Sequence, residues 1–540
     1  MSRRTSWKTF AAGAVLTFTS IYSLAQQAGG AALSPEAAQW FAHLQFLAGD
    51  DLKGRLIGTP EYTQAAEYVA TQYKQAGLKP AGKDGYFQQV PFDNVQIDTA
   101  ASSLRAEKNG QTTVFKIGSE AILNPHADAD TEVDTEAVFA GYGLSIPARH
   151  IDDLAGLDLR GKIAVVLAGS PAELHGPLKS YYRSVNQRWK ALKAAGATGV
   201  VTIAEPPSAA NRSEAQQRGG ERATYVIADP ELDQIPGAKL TATLTSTAAQ
   251  PLFTGTSHSL EELQALAAAG KPLPKFALGL RFQGKTVVKR VNHFTSANVL
   301  GLLEGSDRKL KGEYIVISAH LDHLGVGRPV DGDAIYNGAM DNATGVASLL
   351  EIAKAIAAGP RPKRSILFAT VTAEEEGLLG SKYFVRYPAV PRERIVADIN
   401  MDMFLPLFPL RFLEVQGLGE STLGNDVRAV AQLNDIEVQF DKQPDENRFV
   451  RSDQASFIAY GIPALAFKFG WLPDSPEQKT FNDFVKTRYH HPSDDLAQPI
   501  DKQAAVAFDR VVHDLALRVA NASGVPQFYP ESFFSAAGSH

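Results

Sequence analysis

From about residue 313 the sequence repeats one pattern: a short apolar run, a loop, then a helical stretch. The runs are YIVISAH, SILFATV and RIVADINM, with SLLEIAKAIAAG and LLGSKYFVRY between them. PALAF at 463–467 adds another run, and 495–521 reads as a closing helix. This alternation predicts an α/β fold, a mostly parallel mixed sheet flanked by helices. In such sheets ligands collect beyond the carboxyl ends of the strands. Acids and imidazoles stand at that end here. Strand 314–319 delivers His320, Asp322 and His323, strand 365–371 delivers Glu374 and Glu375, and strand 395–401 delivers Asp402. Asp341 stands at a helix start in NGAMDNATG, and His490 in the loop YHHPSDD before the last helix. No local spacing links these residues; only the fold can bring them together.

Composition narrows their chemistry. The 540-residue chain has no cysteine, which excludes disulfide scaffolds, thiolate metal sites and cysteine nucleophiles. A transition metal must then be held by His, Asp and Glu. The formal charge of −6 gives no general pull towards nucleic acid or anionic membranes. Zinc takes imidazole and carboxylate in tetrahedral geometry and keeps a position open for water when catalytic. Five residues suffice for two zinc ions if one carboxylate bridges. Asp341, short and fixed at a helix start, is the natural bridge. One ion takes His320, Asp402 and Asp341; the other takes His490, Glu375 and Asp341. Two dications, three carboxylates and one bridging hydroxide sum to neutrality. Liganding imidazoles need their second nitrogen oriented; Asp322 is assigned to His320, and Asp494 could serve His490. Glu374 is left free and is assigned as general base, moving a proton from the metal-bridging water to the leaving amine.

The strings SAHLDHLG, NGAMDNATGVA, TAEEEGLLGS, INMDM and YHHPSDD stand in the order found in leucyl-aminopeptidase-type di-zinc exopeptidases. The chain resembles this family, which also holds glutamate carboxypeptidase, glutaminyl cyclase and the transferrin receptor ectodomain. LAGDDLKGRLIGTPEY resembles the family's opening segment, and AVFAGYGL…KALKAAGATGVVTI its inserted protease-associated domain. The resemblance implies a zinc-exopeptidase fold with a β-rich insert, ligand roles for His320, Asp341, Glu375, Asp402 and His490, and the base role for Glu374. The implied organisation is a discontinuous peptidase domain over 33–128 and 286–525, an insert over 129–285 and a tail over 526–540. Two departures stand out. Gln454 occupies a position where relatives often carry His, and His491 one where they often carry Thr; His490 holds the family position before x-P-x-D.

The expected activity is that of an aminopeptidase acting on peptides. Rivals are a carboxypeptidase or dipeptidase, with Arg448 and Arg451 as candidate carboxylate clamps, a glutaminyl-cyclase-like acyltransferase, and an inactive receptor-like binding protein. His323 is expected near the site without ligating, and Arg55 could hold a loop there. The other histidines (His43, His126, His150, His175, His258, His293, His513, His540) read as surface or packed residues. The acidic run 126–134 and the pair Asp331 and Asp333 lack a calcium-loop pattern. Phe404, Phe408, Phe412, Phe457 and Trp471 read mostly as core. Residues 1–25, with Arg3, Arg4, Lys8 and an apolar run ending in SLA, read as a signal peptide cleaved after Ala25, making the mature chain periplasmic or secreted. No stable membrane association is then expected; its partner is a peptide substrate, and oligomeric state stays open.

Overall fold

The computed structural model describes residues 33–125, 131–174, 176–205 and 224–535. The segment read as a signal peptide, His126, His175, His540 and residues 206–223 lie outside the described residues. Two β-sheets organise the rest. At the centre of the first, Ser365–Val371, Tyr314–His320, Ile395–Asn400 and Ala464–Phe469 run side by side in parallel. Antiparallel strands extend both edges: Val288–Leu303 and Phe87–Ile97 on one side, Phe412–Gln416 on the other. The parallel strands are buried on both faces, as their near-continuous apolar sequences require. One face packs under the helices Pro35–Leu47, Pro60–Gln75, Thr344–Ala358 and Lys502–Asn521, and the other under Leu379–Arg386.

The helix Thr344–Ala358 leads from the His320 strand to Ser365–Val371, while Leu379–Arg386 crosses on the other face to Ile395–Asn400. The crossovers leave the central strand in opposite directions, so a topological switch lies between the His320 strand and the strand that leads to Asp402. This is the crevice where the site forms.

Local chemistry starts the chain correctly. Ser34 accepts the amide of Ala37, with Pro35 opening the helix, and Thr59 accepts that of Tyr62, with Pro60 doing the same. The amphipathic helix Pro35–Leu47 then buries Trp40, Leu44 and Leu47.

The second sheet carries the insert, with its own core around Phe139, Val165 and Leu240. Its bounds differ from 129–285. Ser103–Lys108, Gln111–Val114 and Ala121–Leu123 already pair within it. Conversely Thr224–Ile227 leaves the insert and pairs with Phe87–Ile97 in the first sheet. Lys275–Thr286 and Val288–Leu303 then form almost one long ribbon that passes from the second sheet to the first. Polar alternation continues through that ribbon, so no composition change marks the division. Of the acidic run, residues 131–134 open the strand Thr131–Ala140, and Asp134 accepts from Arg281.

Arg55 ties the opening segment to the switch point. Its guanidinium is fully buried and donates to the backbone carbonyls of Leu47, Leu321 (2.8 Å), Asn337 (2.7 Å) and Gly338 (3.1 Å). One planar fork thus fixes the loop after His320 against the turn before Asp341. Burial lowers its pKa to about 10, opposed by Asp322, Asp494, Asp341 and Glu375. Arg55→Met strands those carbonyls, and at about 1–3 kcal/mol each the expected loss exceeds about 3 kcal/mol in urea unfolding. Arg55→Lys should recover only a minor part. A loss below about 1 kcal/mol for the methionine variant contradicts this role.

Candidate metal centre

The five proposed ligands meet at the carboxyl ends of the central strands. His320 ends its strand; Asp402 lies two residues past Ile395–Asn400; Glu375 follows Ser365–Val371. Asp341 sits in the turn Ala339–Ala343 with non-helical backbone (φ −115°, ψ 85°), which turns its carboxylate out of the helix direction. His490 closes the set from the loop before the last helix, at φ 57°.

Their spacing is regular. His320 Nε2 lies 3.2 Å from Asp341 Oδ1 and 3.3 Å from Asp402 Oδ1. His490 Nε2 lies 3.2 Å from Asp341 Oδ2 and 3.1 Å from Glu375 Oε2. Each oxygen of Asp341 therefore faces a different imidazole. Donors about 2.0 Å from a tetrahedral zinc stand about 3.3 Å from one another, so these separations fit two such ions. Protonation gives the same answer. His320 Nδ1 points at the carbonyl oxygen of Asp322 at 3.1 Å, which can only accept, so Nδ1 carries a proton. In the neutral imidazole Nε2 then has only a lone pair, aimed at two carboxylate oxygens. A cation must lie between them: a metal ion, or a second proton on His320.

The electrostatics follow. Burial opposes charge on His320, but Glu374, Asp341 and Asp402 outweigh it and hold the imidazole well above its ordinary range. Burial likewise opposes charge on Asp341, yet His320 and His490 hold it well below. Glu375, buried but facing His490 and His323, is brought down to about 2. Glu374 goes the other way: burial, with Asp402, Asp453 and Glu375 nearby, holds it well above its ordinary range against the pull of His320.

The two supporting carboxylates act differently from the sequence reading. Asp322 Oδ1 is 3.9 Å from His320 Nδ1, too far for a hydrogen bond. The orienting group is the Asp322 carbonyl. The Asp322 carboxylate instead accepts the amides of Glu374 (3.1 Å) and Glu375 (3.3 Å) and fixes the turn carrying both glutamates. Asp494 also works through backbone amides. Its carboxylate accepts the amides of Met340 (2.9 Å) and Asp341 (3.1 Å) and the Gln498 amide (2.6 Å), clamping the Asp341 turn.

His323, expected near the site without ligating, is fully buried there, with Nδ1 2.6 Å from Glu375 Oε1, and is placed where it could hold a metal with Asp341 and Glu375. One neighbour escaped sequence reading. Asp453 is fully buried, and neither carboxylate oxygen has a hydrogen-bond partner; burial lifts it to about 7, opposed by His320. Its motif RSDQASF was noted for Gln454 alone. Gln454 is structural: it accepts from Asn400 (2.7 Å) and donates to the carbonyls of Arg448 and Phe449. Arg451 pairs outward with Glu446, away from a clamp role. The remaining described histidines lie outside the centre, among them His43 against Tyr68 and Glu351, His293 against Asp93, and His513 against Asp514. Asp333 caps an exposed turn through the Ile335 amide.

Metal loading must displace the second proton on His320, so the metal-free chain should release protons as zinc binds. Apparent zinc affinity should therefore rise with pH and keep rising above the ordinary imidazole range, because Glu374, Asp341 and Asp402 hold the His320 proton beyond it. Calorimetry in buffers of differing ionisation enthalpy measures the released protons directly. Equal heats across buffers, after correction for the solvated ion, contradict this assignment.

Residues 298–516 match the model of peptidase family M28. Aminopeptidase NAALADL1 of Mus musculus is 34% identical over 176 residues, covering 31% of this chain and 22% of the relative. A probable lipoprotein aminopeptidase, LpqL, of Mycobacterium tuberculosis is 24% identical over 482 residues, covering 85% of this chain and 80% of the relative. Among solved structures, an aminopeptidase from Aneurinibacillus sp. strain AM-1 covers 91% of this chain and 95% of its own at 21% identity, with a TM-score of 0.49. The alignments span as little as 16% of the length of NAALADL1 relatives and 42% of the leupeptin-inactivating enzyme 1 of Streptomyces exfoliatus. The segment 298–516 that matches the model of peptidase family M28 contains His320, Asp341, Glu374, Glu375, Asp402 and His490 together.

Proposed function

We propose that the chain is an exported aminopeptidase using two zinc ions, one held by His320 and Asp402, the other by His490 and Glu375, with Asp341 shared. The observation that carries this reading is the pair of Asp341 oxygens, each about one tetrahedral edge from a different imidazole. Relatives named aminopeptidases support the amino-end direction.

Zinc bound there supplies Lewis acidity to the scissile carbonyl and lowers the pKa of the attacking water. The chain supplies proton handling and position. Glu374, beside this pair of sites and held by the Asp322 carboxylate through its own amide, takes the proton of the attacking water and returns it to the leaving amine. Without metal, burial and the neighbouring acids hold its pKa well above the ordinary carboxylate range, which disfavours the base form. Cations in front of it pull that pKa back down, so loading and base strength are coupled. Asp322 and Asp494 act as positioning residues through backbone amides. The insert reaches the neighbourhood of the centre: its helix Gly176–Arg183 packs on the turns Pro444–Glu446 and Arg448–Val450. We assign it the task of restricting substrate length. The basic and apolar leading segment and the lack of cysteine support the export reading.

The test combines metal and substrate. Chelated chain should be inactive, and zinc should restore hydrolysis of aminoacyl amides but not of their N-blocked forms, saturating near two ions per chain. Restoration at one ion, or cleavage of only N-blocked peptides, overturns the assignment. Glu374→Gln should retain both zinc ions while kcat falls at least about 10²-fold. Near-normal turnover removes Glu374 from the mechanism.

A further inference from the structure

An apolar wall stands beside the metal ligands. It contains Met340, Met403, Leu405, Trp471 and Phe481, with Tyr489 packed against it. Met340 precedes Asp341, Met403 follows Asp402 and Tyr489 precedes His490, so the wall and the centre share three short stretches of chain.

Three hydrogen-bond donors border this wall without matching acceptors. Lys468 is 6% exposed, and its Nζ donates to the Met403 carbonyl at 3.3 Å. It lies two residues beyond the Asn400–Ala466 pair, as Asp402 lies two beyond Asn400, so both stand at the same end of adjacent parallel strands. Glu414 is opposite Lys468 in register, but its carboxylate turns to the Lys442 amide. The Arg448 guanidinium lies 5.7 Å from the centre of the Phe481 ring. Among the described residues, no carboxylate oxygen comes within 4 Å of either cation. The Trp471 indole N–H is buried without a partner, and its ring lies 6.1 Å from Phe481. A buried ammonium whose hydrogen-bond partner is a carbonyl, with Asp402, Glu414 and Asp341 acting on it only from beyond 4 Å, is costly to the fold. Lys468, Arg448 and Trp471 together offer two positive charges and an N–H around one apolar surface.

We propose that Lys468, Arg448 and Trp471 form a subsite for a substrate carboxylate beside the scissile bond. The inference rests on the peptidase reading and narrows its substrate class. Two sources carry the same chemistry: an acidic side chain on the terminal residue, or the free carboxyl end of a dipeptide.

Calorimetry on the full-length, zinc-loaded Glu374→Gln chain separates them without turnover. The ligands are Glu-Gly amide against Gln-Gly amide for the side-chain source, and Leu-Gly against Leu-Gly amide for the chain-end source. At least one carboxylate peptide should bind about tenfold or more tighter than its neutral twin, the size of one charge-assisted hydrogen bond. Adding Lys468→Met or Arg448→Gln should bring that ratio towards one. Arg448 lies half-buried in a turn, so its variant remains informative if the Lys468 variant misfolds. The subsite is refuted if both ratios lie within about twofold in the parent, or if neither added substitution moves the ratio. Hydrolysis of the two neutral peptides by the wild-type chain is scored separately. Its absence would defeat the peptidase reading while the binding ratios still decide the subsite.

Discussion

Repulsion among carboxylates at one end of the central sheet is the constraint that the surrounding structure answers. Asp322, Asp341, Glu374, Glu375, Asp402, Asp453 and Asp494 gather there, mostly out of water, and burial alone drives each carboxyl towards neutrality. The chain sorts them by partner. Asp322 and Asp494 take backbone amides and become fixtures of two turns. Asp341 and Glu375 face imidazoles and stay ionised. Arg55, buried behind them, supplies a permanent positive charge while its fork saturates four carbonyls. Fold and site are thus one electrostatic problem. The same groups that would destabilise an empty sheet end become an affinity for dications once their geometry is fixed.

This sharing explains why the segment that approaches from far away in sequence is well anchored. His490 arrives from a loop, yet the adjacent Asp494 binds the amides of the Asp341 turn, so the last ligand and the shared ligand move together. On the other side the Asp322 carboxylate couples the His320 strand to the glutamate turn. Each pair of ligands is braced by a carboxylate that binds the backbone amides of a ligand-bearing turn.

Much of the fold and the ligand set was legible because both leave local marks. Apolar runs of strand length alternate with helical periodicity, and acids with imidazoles sit just beyond them. What escaped depends on partners hundreds of residues apart or on backbone groups that sequence does not distinguish. Asp322 looked like a side-chain partner for His320, but its carbonyl does that work. The clamp of Asp494 on the Asp341 turn runs through backbone amides and left no mark in the sequence. Lys468 hides inside the apolar run that reads PALAFKF, where a strand pattern draws the eye to its neighbours. The division between the sheets was misjudged because Lys275–Leu303 stays extended and alternating across it, and because Thr224–Ile227 returns to the first sheet from within the insert.

That returning strand has a mechanical consequence. A flap joined to its body by two adjacent strands can swing about them as on a door. Here a third attachment, the antiparallel pairing of Thr224–Ile227 with Phe87–Ile97, sits apart in sequence from the other two and must break before such a swing. The second sheet is therefore bolted to the first rather than hinged on it, and its position is set when the chain folds.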